Sequence, residues 1–201
     1  MKLKNEFIKE TIIKKSRFIT CLNRISNEND AKAYLQHIKK IYPNATHYCH
    51  GYIYNVNNPV QHSSDDGEPK QTAGVPILTA LNNYNMQDTI AVVVRYFKGI
   101  KLGTGGLTRA YGNCVSEALK SADKVELISF KKYQLEIPYH LDAKINYYLR
   151  QHAERIECDY DLNVTYTFLS NHSKLPLDIQ EITKGQYLVK YCQEEIIEKD
   201  L

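Results

Sequence analysis

The sequence predicts an α+β protein of two domains, residues 1–130 and 131–201, the second built in the order βαββαβ. Three observations carry this. A continuous apolar run at Thr89–Val94 reads as a strand buried on both faces, and an unbroken helical stripe follows it from Leu107. Eight of the nine glycines lie between Gly51 and Gly112, and the ninth is Gly185. Charge reverses at the same place: residues 1–130 hold 17 Lys and Arg against 11 Asp and Glu, a balance of +6, whereas residues 131–201 hold 9 against 12, a balance of −3.

In order along the chain, Thr11-Ile12-Ile13 and Phe18-Ile19-Thr20 are β-forming pieces separated by basic Lys14-Lys15-Ser16-Arg17, which predicts a hairpin or one bent strand. Ala31, Tyr34, Leu35, Ile38 and Ile41 recur at helical spacing, with Ser26 and Asn27 as capping candidates and Pro43 as the stop. Thr46 to Val56 alternates like a strand. Asn57 to Lys70 is polar, carries the turn pairs Asn58-Pro59 and Asp66-Gly67, and predicts a mobile loop. Gly74-Val75-Pro76 opens a second helix that ends at Asn82-Asn83, and a third begins near Thr104. Beyond residue 130 the pattern gives a strand at Tyr133–Ile137, a helix at Leu141–His152 and strands around Ile156 and Val164–Phe168. A short helix at Leu175–Ile182 and a strand at Tyr187–Tyr191 complete the split-βαβ, ferredoxin-like order.

Apolar residues at 43% and charged residues at 24% match an ordinary globular chain, which argues against disorder. No run approaches the roughly 18 apolar residues of a membrane span, and the first residues lack a signal-peptide core, so a cytoplasmic protein without membrane partners is expected. Cys21, Cys49, Cys114, Cys158 and Cys192 are scattered without a C-x-x-C pair and read as reduced, mostly buried thiols. His47 and His50 stand three apart in a strand and so face opposite sides, which argues against a shared metal. No metal and no cofactor is expected.

The richest chemistry lies between Arg95 and Arg109. Gly103, Thr104, Gly105 and Gly106 open a helix whose first N–H groups lack internal partners, and Arg95, Lys98, Lys101 and Arg109 add positive charge. This is the makeup of an anion or nucleic-acid site, although the spacing fits neither nucleotide-binding glycine motif. The alternative is a tight turn whose arginines pair with carboxylates. Asp65, Asp66 and Glu68 are weak candidates for acid/base catalysis. Their other readings are a solvated loop or a salt-bridge partner for Arg95 or Arg109.

The segments Lys15-Ser16-Arg17-Phe18-Ile19, Ala45-Thr46-His47-Tyr48-Cys49, Ser64-Asp65-Asp66-Gly67-Glu68-Pro69, Thr72-Ala73-Gly74-Val75-Pro76-Ile77-Leu78, Arg95-Tyr96-Phe97 and Gly99 to Tyr111 resemble, in order and spacing, the YigZ/Impact family. Lys70-Gln71 and Lys98 depart from the family's small residues and glycine. The resemblance implies a ribosomal-protein-S5 domain-2-like fold for residues 1–130. It implies a ferredoxin-like fold for residues 131–201, similar to the last domain of translocase elongation factors. It also implies a regulatory role in translation, since eukaryotic relatives bind the activator of an initiation-factor kinase.

The expected function is therefore non-catalytic binding linked to translation or stress, with the ribosome, RNA or a translation-associated protein as partner. An enzyme acting on a phosphorylated or anionic small molecule is a second reading. A protein-interaction module using the sheet of the second domain is a third.

Overall fold

A computed structural model describes residues 1–56 and 58–201. The protein is α+β, with five helices and two sheets among the described residues. The chain divides into two compact units, Met1–Glu126 with Lys199–Leu201, and Leu127–Glu198. Among the described residues no helix is long and apolar enough to cross a membrane.

The first unit runs β1 (Lys2–Leu3), β2 (Phe7–Ile13), β3 (Ser16–Arg24), α1 (Glu28–Ile41), β4 (His47–Tyr54), β5 (Val60–Ser64), α2 (Gly74–Asn83), β6 (Thr89–Tyr96) and α3 (Thr104–Ser121). Five of its strands form a sheet of order β2-β3-β6-β4-β5, antiparallel throughout. Side chains alternate across the pleat. Phe18, Leu22, Cys49, Ile53, Ala91 and Val93 pack against α2 and α3, whereas Ile19, Cys21, Tyr52, Ile90, Val92 and Val94 pack against α1. Burial on both faces is why β6 reads as a continuous apolar run.

Helix α1 starts where Asn27 accepts a hydrogen bond from the Asp30 N–H at 3.0 Å, and it buries Ala31, Tyr34 and Ile38. Helix α3 buries Leu107, Ala110, Tyr111, Cys114, Val115, Ala118 and Leu119 along one stripe. Strands β2 and β3 form a hairpin whose two connecting residues, Lys14 and Lys15, hold φ of +44° and +66°. A two-residue turn of this hand favours Asn-Gly over lysine. Replacing Lys14→Asn together with Lys15→Gly should therefore raise stability by about 1 kcal/mol. A urea midpoint that stayed level or fell would count against strain at this turn.

The expected mobile loop is largely structured, and Asn57, its first residue, lies outside the described residues. Val60–Ser64 forms edge strand β5, paired with β4 from Tyr54↔Val60 to His50↔Ser64. None of its residues is buried, so no apolar alternation marks it. The residues that follow are tied down by carboxylate-to-backbone hydrogen bonds rather than by apolar packing.

The start of β7 (Lys124–Ile137) belongs to the first unit, where Leu3 and Lys2 of β1 pair with Lys124 and Val125. The second unit continues with α4 (Tyr139–His152), β8 (Glu154–Tyr160), β9 (Val164–Ser170), α5 (Leu175–Ile182) and, up to Glu198, β10 (Lys190–Asp200). Strand β9 pairs antiparallel with β7 and with β8, and β10 pairs with β7. Leu135, Ile137, Ile145, Leu149, Tyr166, Phe168 and Ile179 are among its core residues. Strand β10 lies later than the expected Tyr187–Tyr191. Only Ile197 is buried along it, so charged residues conceal the strand.

Candidate functional site

Strand register sets a row of side chains on the α2/α3 face at one end of the first unit's sheet. Arg95 on β6 stands opposite Phe18 on β3 and His47 on β4. Glu68 comes in from the turn after β5, and Tyr111 descends from α3. The Arg95 guanidinium donates to Glu68 Oε1 at 2.5 Å, the Tyr111 hydroxyl donates to the same oxygen at 2.7 Å, and both charged side chains are about 95% buried. The rings of Phe18 and Phe97 lie 5.3 and 5.2 Å from the guanidinium carbon.

His47 Nδ1 lies 2.8 Å from the Asp66 carbonyl oxygen, which can only accept, so Nδ1 carries the proton. Its Nε2 then faces Glu68 Oε1 at 3.8 Å. His50 sits on the opposite face, stacked with Tyr52 and close to His62. The two histidines do not converge.

A cleft of about 400 Å³ opens above this row. Thr46, His47, Glu68 and Arg95 line it together with Lys101, Gly103 and Thr104, and apolar walls come from Pro69, Phe97, Leu102 and Leu107. Gly103 precedes α3 with φ +69° and supplies no capping side chain; the first intrahelical bond, from the Leu107 N–H, reaches the Gly103 carbonyl at 2.9 Å. Among the described residues Arg95 Nε is a buried donor without an acceptor. Leaving such a group unmatched costs about 1–3 kcal/mol.

The basic segment is thus divided. Arg95, Lys101, Gly103 and Thr104 reach the cleft, and Gly105 and Gly106 continue the first turn of α3, where Gly106 lies so close to Leu102 that an added Cβ would stand 3.2 Å away. Arg109 lines a separate groove of about 370 Å³ beside Val75, Pro76 and Ala80 of α2. Lys98 is exposed and lines neither. Arg95 is not a surface cation, because β6 is the middle strand of the sheet and Glu68 neutralises its charge.

The carboxylates have structural partners as well. Asp65 Oδ1 accepts from the N–H groups of Ala73 and Gly74 at 3.0 and 2.8 Å, and Oδ2 accepts from Gln71 at 2.7 Å. Asp66 accepts from the Tyr48 N–H at 2.6 Å. Neither lines the cleft. Burial pushes the Asp65 carboxyl up, but the bonds from Gly74, Gln71 and Ala73 outweigh it and hold the group below its ordinary value. A carboxylate depressed on folding stabilises the protein above its unfolded value and loses that contribution as pH falls through the folded one. Asp65→Asn should therefore cost about 1–3 kcal/mol at neutral pH, and the gap from the unchanged protein should close below about pH 4. Urea midpoints at pH 7 and pH 3 check this; an equal gap at both would remove the charge from the account.

Cys49 lies beneath the site, donating to the Asp65 carbonyl at 2.9 Å. Burial pushes its thiol up to about 12, so it is not a nucleophile at neutral pH. Cys21 and Cys114 are buried too and Cys158 and Cys192 are exposed, so three of the five thiols are buried, in line with the expectation for most of the set. His47, Thr46, Phe97 and Tyr111 were not singled out as site residues by the sequence. Strand parity links His47 to Cys49, but only the β4–β6 register brings it beside Arg95.

The family model of the Impact N-terminal domain matches residues 14–119, a span that contains every residue of the cleft. IMPACT family member YvyE of Bacillus subtilis (strain 168) is 41% identical over 194 residues, covering 94% of this chain and 89% of that protein. IMPACT family member YigZ of Escherichia coli (strain K12) is 41% identical over 130 residues, 64% of each chain. A solved structure described as a crystal structure of an hypothetical protein superposes with a TM-score of 0.57 at 31% identity, over 96% of this chain and 97% of that one.

Proposed function

This chain belongs to the IMPACT family, and from that membership we propose that it is a non-catalytic regulatory protein of translation that engages RNA through the cleft end of its first unit. The observation that carries the reading is the cleft itself, where exposed Lys101 stands beside Gly103 and Thr104 at the start of α3 and, among the described residues, no side chain caps the helix. Lys98 and Arg109 extend the positive charge on the same segment. In the same reading the first unit is S5 domain-2-like. The second is ferredoxin-like, a reading supported by its βαββαβ order and by β7 pairing with both β9 and β10.

Neutralising phosphates releases counterions, so RNA affinity should fall steeply with salt. Reversing Lys98, Lys101 and Arg109 to glutamate should cut co-sedimentation with ribosomes and with bare RNA by tenfold or more, estimated from about one unit of salt slope per phosphate contact. Arg95 is left out of that variant because its removal would unfold the site. Binding that ignored salt, or survived the reversal, would overturn the proposal.

A second reading, turnover of an anionic small molecule, is favoured by one observation: His47, oriented by its Nδ1 bond to the Asp66 carbonyl, presents Nε2 to the cleft beside Glu68. Any turnover found with a panel of phosphate esters should vanish in His47→Gln; persistence would remove this base.

A further inference from the structure

We propose that the cleft is a small-molecule site for a terminal phosphate monoester carried on an aromatic body, the chemistry of a mononucleotide. The inference rests on the anion reading above and narrows it. Gly103 and Thr104 bring the start of α3 into the cleft, and because Gly103 supplies no capping side chain the backbone N–H groups there are left to a phosphate. Lys101 adds a charge at the rim.

Charge favours a chain end over a chain interior: a phosphate monoester carries about −1.5 to −2 charge and three acceptor oxygens, more than an internal phosphodiester offers to Lys101 and the start of α3. The Glu68 charge does not repel the ligand, since the Arg95 guanidinium and the Tyr111 hydroxyl both donate to it. The remaining walls are apolar, and Phe97 is 40% exposed beside the cationic groups, which suits stacking by an aromatic ring. A volume of about 400 Å³ lies in the range of small-ligand sites, which are largely apolar with a few convergent polar groups.

Calorimetric titration of the full chain with AMP, adenosine, inorganic phosphate and a hexa-adenylate lacking terminal phosphates tests this. AMP should bind about tenfold tighter than inorganic phosphate, the step expected from one stacked base, and adenosine should bind weakest. Lys101→Ala should weaken AMP and phosphate alike, whereas Phe97→Ala should weaken AMP about tenfold and leave phosphate unchanged. Both residues are exposed, and a thermal melt verifies that each variant is folded. Equal affinity for AMP and phosphate, or AMP binding indifferent to both substitutions, would overturn the inference. Hexa-adenylate binding more tightly than AMP in a Lys101-dependent way would overturn it too, while sustaining the RNA reading. Failure of all four probes, with ribosome binding also absent, would sink both.

Discussion

Glu68→Ala should destabilise the first unit by about 3–5 kcal/mol, the cost of stranding one member of a buried ion pair. The substitution leaves the Arg95 cation 5% exposed between two phenyl rings and takes the acceptor from the Tyr111 hydroxyl. Hydrogen exchange at the β6 amides reports this unit without interference from unfolding of the other. Replacing both partners, Glu68→Leu with Arg95→Met, should recover most of the loss, because an apolar pair of similar volume avoids desolvating two charges. A single variant within 1 kcal/mol of the unchanged protein, by the same scale, would mean that the pair is hydrated and the site open.

The other large effect is expected at Gly74. A Cβ there would stand 2.7, 2.8 and 2.9 Å from the N, C and O atoms of Ser64, all backbone, so either β5 or α2 must move. Gly74→Ala should cost about 3 kcal/mol or more, at the upper end of overpacking, since the shift also disturbs the Asp65 bonds to Ala73 and Gly74. Gly103→Ala is the comparison. No atom lies within 4 Å of that Cβ, so only the backbone is strained, its φ of +69° and ψ of +167° lying in a region held almost solely by glycine, at about 1–3 kcal/mol. Equal losses in the two variants would show that the approach of α2 to β5 is looser than described.

The elements legible in the sequence were those whose burial leaves a periodic trace. Helices α1, α2, α3 and α5 carry apolar stripes with recognisable starts, and β6 is apolar on both faces because helices cover both. Strands β5 and β10 were missed or misplaced since they bury almost nothing. At the cleft, the glycine turn and its basic neighbours announced themselves locally. The burial of Arg95 did not: it depends on Glu68 arriving from a different loop and Tyr111 from α3, and no local pattern encodes that meeting. Polar residues 64–73 looked loose because their order comes from aspartate side chains bonding to backbone.

The position of β6 between β3 and β4 has a consequence for how the chain is made. Both neighbours are synthesised first, so the nascent polypeptide holds two separate hairpins, β2–β3 and β4–β5, each marginal in water and each with an unpaired edge. At about 5–20 residues per second, the interval between completing Ser64 and completing Tyr96 is about 2–6 s. Throughout that interval the two ribbons cannot be joined. The late strand is the keystone of the sheet, and the unfinished chain is most vulnerable to wrong edge pairing just before it emerges.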